Sequence, residues 1–334
     1  MERKSRVAAP LKRAIFTILF CFAASAARAQ EFTLFGGAST AKDLGDKTYG
    51  WKIEYRQGLG DYFEFSYSWL NEGHVTDHHR DGHTLQLWLR DTFFDRKLSV
   101  ALGAGPFRYY DTASANTEAG YSDVHGFAGI FSADVAFYLG NRWLLRTEVN
   151  RTVAGSKSID TFNFLLGLGY QLTAPDSPGP RPWPERQAET TSNNEVTVFL
   201  GRTVVNSFES EKSVAASVEY RRPLNRYFDV SASFLYEGDS QVVRRGGFIV
   251  QGWFGRAFFE DRLTLSLGAG VYIAVDKRQL DAPGNSSGTL AGMVTPSVSY
   301  RFAEHWDGRF SWNRTVTTYD KDTDVFLIGL GYRF

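Results

Sequence analysis

The sequence is written twice. "YFEFSYSWLNEG" (62–73) returns as "YFDVSASFLYEG" (227–238), and "FFDRKLSVALGAG" (93–105) returns as "FFEDRLTLSLGAG" (258–270), both at an offset of 165. The same offset aligns Glu54, Tyr55 and Arg56 with Glu219, Tyr220 and Arg221, and it pairs Arg80 with Arg245, Gln86 with Gln251 and Trp88 with Trp253. Further on, "NRTV" recurs at 150–153 and 313–316, and the copies close alike, on "FLLGLGYQL" (164–172) and "FLIGLGYRF" (326–334). Such a chain folds either as two like units or as one unit with internal repetition.

The copies are separated by "TAPDSPGPRPWPERQAETTSNN" (173–194), which holds five of the ten prolines. That composition reads as an extended, semi-rigid linker between domains 30–172 and 195–334. A single long loop inside one domain is the alternative.

Each copy divides into eight alternating segments, in the first near 31–40, 49–58, 62–74, 82–94, 97–111, 126–139, 142–154 and 160–172. Glycine (32), phenylalanine (27) and tyrosine (16) against two methionines agree with strands. In 62–74, Phe63, Phe65, Tyr67 and Trp69 share one face, and Glu64, Ser66, Ser68, Glu72 and His74 share the other. In 82–90, His83, Leu85, Leu87 and Leu89 oppose Thr84, Gln86, Trp88 and Arg90. In 142–150, Trp143, Leu145, Thr147 and Val149 oppose Arg146, Glu148 and Asn150. A soluble barrel also alternates, with its apolar face inward. Here the apolar faces are rich in Phe, Tyr and Trp, and the polar faces mix both charges with small residues. Bulky aromatics suit lipid and its interfaces, whereas small residues and paired charges suit a narrow lumen.

Residues 1–29 read as a secretory signal: a basic start (Arg3, Lys4, Arg6, Lys12, Arg13), the apolar run "AIFTILFCFAASAA" and the small-x-small site Ala27-Arg28-Ala29. The lone Cys21 would leave with it, so the exported chain forms no disulfide. Residues 30–334 carry 31 Lys and Arg against 36 Asp and Glu. This mildly acidic balance gives no electrostatic grip on nucleic acid. No other stretch has the length of a helical membrane span, so a membrane would have to be crossed with strands.

The signal, the alternating strands and the aromatic ending "GLGYRF" together make the chain resemble the small, often eight-stranded outer-membrane β-barrels of Gram-negative bacteria. The resemblance implies an all-β transmembrane antiparallel fold in the cell outer membrane. It also implies contact with outer-membrane lipid and lipopolysaccharide, and handling by periplasmic chaperones and the barrel-assembly machinery, for which Tyr332 and the final Phe334 would be the signal. Two tandem eight-stranded barrels are expected, with one sixteen-stranded barrel as the alternative. The first would be plugged, with a structural or adhesion-type role at the surface. The second would be a porin-like pore for small solutes.

The inward polar set is Glu54, Arg56, Glu64, Glu72, Gln86, Arg90, Asp134, Arg146, Glu148 and Asn150 in copy one. In copy two it is Glu219, Arg221, Asp229, Glu237, Gln251, Arg309 and Asn313. Confined charges must be paired, so these residues read as an ion-paired plug rather than a site. "EGHVTDHHRDGH" places His74, His78, His79 and His83 close together, a weak metal-ligand pattern that copy two replaces with "EGDSQVVRRGG". It reads as an outer loop over 74–82, with further outer loops at 112–125 and 276–291. No metal or other cofactor is expected. Barrel phospholipases and lipid A deacylases carry a His-x-Ser-Asn strand motif; no His here is followed by Ser two positions on, so catalysis is not expected.

Overall fold

The computed structural model describes residues 30–334 apart from 43, 116–119, 156–157, 174–178, 181–193, 226, 260 and 278–288. The signal reading of residues 1–29, most of the linker and most of the 276–291 loop fall outside the described residues.

Sixteen antiparallel strands form two closed barrels of eight. The first comprises β1 (Gln30–Ala41), β2 (Lys47–Gly58), β3 (Phe63–Val75), β4 (His78–Phe93), β5 (Leu98–Ser114), β6 (Tyr121–Tyr138), β7 (Trp143–Val153) and β8 (Thr161–Gln171). The second comprises β9 (Glu195–Val205), β10 (Lys212–Pro223), β11 (Phe228–Tyr236), β12 (Arg245–Phe258), β13 (Leu263–Asp276), β14 (Thr289–Arg301), β15 (Trp306–Val316) and β16 (Thr323–Arg333). Closure is made by β1 on β8, from Glu31↔Gln171 to Ala41↔Thr161, and by β16 on β9, from Thr323↔Val205 to Arg333↔Glu195. Each barrel thus satisfies its own backbone donors and acceptors and leaves no edge. The sixteen-stranded alternative, in which β8 would pair with β9, does not occur.

With eight strands, each barrel returns its two chain ends to one rim. All six strand-to-strand turns on that rim are four residues long: 59–62, 94–97, 139–142, 224–227, 259–262 and 302–305. On the opposite rim the connections range from the two residues 76–77 to the twelve residues 277–288. We refer to these as the terminal rim and the far rim.

The far-rim loops expected at 74–82 and 112–125 are largely strand. β3 and β4 run into a turn at Thr76 and Asp77, β5 continues to Ser114 and β6 starts at Tyr121. Polar composition misled the reading here, because these extensions pair with each other and keep the two-residue alternation. A bulge between Asn71 and His74, with Gly73 at φ 73°, also reverses the face expected of His74. His74 stacks outside the barrel on His79 and Tyr49, and does not point inward with Glu72.

Outward positions carry the large exposed apolar side chains, among them Leu85, Leu87 and Leu89 on β4, Phe162 to Leu168 in alternation on β8, and Phe248 and Val250 on β12. Exposed aromatic residues gather at the terminal rim: Tyr62, Phe94 and Trp143 on the first barrel, Phe302, Trp306, Tyr332 and Phe334 on the second. Inward positions are filled. Trp88 and Trp253 lie across their lumens and fit because Gly103 and Gly268 stand opposite; a Cβ there would come within 2.5 and 2.8 Å of the indole.

Candidate functional site

The lumen of the first barrel is stacked in three layers. Nearest the terminal rim is a network of buried charges. Arg56 bonds Glu54 at 2.9 Å, Asp134 at 3.1 Å, and Glu64 and Glu148 at 3.4 Å, with its guanidinium 3.7 Å over the Trp88 ring. Arg146 bridges Glu54 (3.1 Å) and Asp134, Arg90 pairs with Glu64, and Lys52 reaches Glu54 (2.8 Å) and Glu148. Glu31 accepts from the Tyr138 hydroxyl at 2.8 Å. Beside the network, the Trp88 Nε1–H donates to Ser66 (2.9 Å), and Gln86 donates to Ser132, which donates in turn to Asn150.

Above the charges sits an apolar layer of Phe35, Leu70, Phe107, Tyr109, Ile130 and Leu165. The third layer, toward the far rim, centres on Arg80. Its Nε donates to Glu72 at 2.6 Å, and its other nitrogens reach Thr152, Thr161, Ser158 and the Ile159 carbonyl. A charged group in so confined a volume survives only when several partners replace its water, and each of these cations has them.

The second barrel repeats the plan with fewer charges. Arg221 pairs with Glu219 at 3.1 Å and lies 3.6 Å over Trp253; Arg309 bonds Glu219 (2.8 Å) and Glu195. Arg333 bonds Asp307 at 2.8 Å, and the half-buried Asp229 stands beside Trp253 in the ladder. Trp253 donates to Ser231 (2.8 Å), and Gln251 to Thr295 (2.9 Å), which donates to Asn313 (2.8 Å). An apolar layer including Phe199, Leu235, Ile249, Tyr272, Met293 and Leu327 follows, capped by Arg245 on Glu237 at 2.7 Å. Lys52, Asp134 and Glu148 of the first copy become Ser217, Ser297 and Ser311 at equivalent positions, and Arg90 becomes Gly255.

The four histidines go to different places. His74 and His79 stack on the outer surface, 3.9 Å apart. His83 lies between Tyr67, Trp69 and Tyr110, with its Nδ1 2.6 Å from the Tyr67 hydroxyl. His78 turns into the mouth of the lumen, where its Nδ1 sits 2.9 Å from Asp111, and Ser158 Oγ donates to the same carboxylate at 2.7 Å. The serine therefore bonds the acid and not the imidazole, which is not the order that activates a nucleophile. Among the described residues no three His, Cys, Asp or Glu side chains converge as a metal site.

The sequence reading omitted Lys52, Arg80, Arg245 and Glu195 from the inward set. Lys52 stands two residues before Glu54 on one strand and so shares its face, a signal that was available. It also missed the seam between the barrels. On their outer faces, toward the far rim, Arg314 of β15 bonds Asp81 of β4 at 2.6 Å and Asp324 of β16 at 2.9 Å. His125 meets Asp322 at 2.7 Å, and Asp320 accepts from the Asp123 amide (2.9 Å) and the Ser122 hydroxyl (3.1 Å). Trp69 packs on Trp312, ring centroids 3.9 Å apart, and Trp312 donates to Asp324 at 2.7 Å. A charge on an apolar outer face needs a partner. Pairing across the seam supplies one, so each barrel screens the other's charges.

No protein-family model matches the sequence, and none of the curated proteins does. Among solved structures, the chain is similar to the N-terminal β-barrel domain of Pseudomonas aeruginosa OprF, at 12% identity over 43% of this chain and 98% of that one, with a TM-score of 0.34. It is similar to Neisserial surface protein A at 15% identity over 43% and 98%, with a TM-score of 0.33. It is also similar to the Pseudomonas putida toluene transporter TodX at 11% identity over 91% and 89%, with a TM-score of 0.23.

Proposed function

We propose that the protein is an exported, integral outer-membrane double barrel with sealed lumens, acting as a structural or surface-interaction component and not as a pore or an enzyme. The observation that carries this reading is the filling of both lumens, where a buried ionic layer is covered by an apolar layer. An ion crossing either barrel would have to break the Arg56 or Arg309 network and then cross packed Phe35, Leu165 or Phe199 without water. The apolar outer faces and the aromatic terminal rim support membrane insertion. Short turns on one rim and longer connections on the other support an orientation with the terminal rim in the periplasm and the far rim outside the cell. Lipid, lipopolysaccharide, periplasmic chaperones and the barrel-assembly machinery are the partners this reading carries.

Purified protein in planar bilayers should give no sustained conductance steps. Large, stable channels would overturn the reading. Fatty acid released from phospholipid or lipopolysaccharide, and abolished by His78→Ala, would overturn its non-enzymatic part.

A further inference from the structure

Below the Trp69–Trp312 contact the barrels part, leaving a cleft of about 530 Å³ between their outer faces. Its walls are apolar, with Phe65, Tyr67 and Leu85 on one side and Leu265, Leu267 and Phe310 on the other. The barrels meet again at the terminal rim, where the Arg142 guanidinium of the first lies 5.7 Å from the Phe259 ring of the second. With a contact above it and another below, the gap leaves apolar walls that gain dispersion contacts when it is filled. From Phe65 to Trp69 the wall runs about 13 Å along the strand, about 10 Å along the membrane normal at a tilt of roughly 40°, which lies within the ~15 Å half-thickness of a bilayer's hydrocarbon core.

The cleft also has a polar end. Arg256 lines it two residues before β12 ends at the terminal rim, half-buried, with its guanidinium 5.9 Å from the Tyr227 ring. Arg142 stands on the same rim, with its guanidinium against Tyr170 of its own barrel and Phe259 of the other. Among the described residues neither has a carboxylate partner within ion-pair distance, in contrast to the paired cations of the lumens. An apolar slot with Arg256 in its wall and Arg142 on the same rim matches acyl chains below a phosphate.

We propose that the cleft is a binding site for one glycerophospholipid of the periplasmic leaflet, its acyl chains between the barrels and its phosphate held by Arg256 and Arg142. The proposal rests on the membrane orientation given above. The walls on two sides and the charge at the mouth distinguish this lipid from those that merely surround the protein.

The test uses the full-length protein, recovered from the outer-membrane fraction in mild detergent. Native mass spectrometry is run with added phosphatidylglycerol and, in parallel, with diacylglycerol of the same chains. The wild type should keep one phosphatidylglycerol per chain and hold diacylglycerol more weakly. Arg142→Ala with Arg256→Ala should lower phosphatidylglycerol retention about tenfold and leave diacylglycerol unchanged. Leu267→Trp, which fills the cleft from an outward position, should abolish both. Heat-modifiable migration reports that each variant is folded. Should Leu267→Trp not fold, an acyl-chain spin label on phosphatidylglycerol must still show an immobilised component with the wild type, competed away by unlabelled phosphatidylglycerol.

Equal retention by wild type and Leu267→Trp would mean surrounding lipid only and would overturn the proposal. So would equal retention of the two lipids, or an absent immobilised component. Absence of the protein from the outer-membrane fraction would instead sink the membrane reading itself.

Discussion

Arg56 and Arg221 hold the same place in the two copies, yet replacing each by methionine should have unequal consequences. Methionine keeps most of the side-chain volume, so the comparison isolates charge from packing. Without Arg56, the carboxylates of Glu54, Glu64, Asp134 and Glu148 would share only Lys52, Arg90 and Arg146. Leaving a buried charge without its partner costs about 3–5 kcal/mol. Arg221 pairs with Glu219, and Glu219 keeps Arg309 at 2.8 Å after the change. The loss there is one charge-assisted bond, a long bond to Ser266 at 3.4 Å and the stacking on Trp253, about 2–3 kcal/mol together. The assay is an equilibrium urea titration of the full-length protein in micelles, read by cold gel migration, which separates folded from unfolded barrels. Arg56→Met should lower the midpoint of its barrel well beyond the shift that Arg221→Met causes in the other. Adding Glu54→Gln and Glu148→Gln to Arg56→Met should recover part of the loss, because the uncompensated charge is then gone. Equal midpoints for the two arginine variants, or no recovery, would show that Arg56 does not balance a buried excess of negative charge.

Gly103→Val puts a Cβ 2.5 Å from a Trp88 ring held by Ser66 and Arg56, so a loss of about 1–3 kcal/mol is expected in the same titration. Gly252→Val, where the added Cβ meets nothing within 4 Å, should stay within about 0.5 kcal/mol of wild type. The seam is checked by cysteines at Trp69→Cys and Trp312→Cys in a chain whose only other cysteine is Cys21. A short bifunctional thiol reagent should bridge them within one chain in isolated membranes, and no bridged product would argue against side-by-side packing.

Much of the lumen was legible in the sequence because the reading needs only the two-residue period. Once Glu64 and Ser66 are placed inside, every second residue of that strand up to the bulge follows them. The duplication adds a filter. Glu54/Glu219, Arg56/Arg221, Glu72/Glu237, Arg80/Arg245, Gln86/Gln251 and Trp88/Trp253 are the same residues in both copies, and all of them face inward. The apolar layer escaped notice because Leu70 and Leu165 follow outward Trp69 and Phe164, so the polar–apolar alternation breaks where the lumen itself turns apolar. The bulge at Asn71–His74 likewise changed a face that a strict period could not.

The properties that can be read along the chain are local: which residues form strands, which side of each strand faces in, and that the whole pattern occurs twice. Closure was beyond it. Pairing β8 with β1 or with β9 leaves every side chain on the same face, so periodicity is silent on whether there are two lumens or one; only the observed register, Glu31↔Gln171, decides. The seam was beyond it for a related reason. Asp324 takes the place of Phe162, and Asp81 that of Gly246, so a charge at an outward position looked like an exception to the pattern. It ceases to be one when Arg314 arrives from the other barrel, since a charge is tolerated there only by a partner that no stretch of local sequence contains.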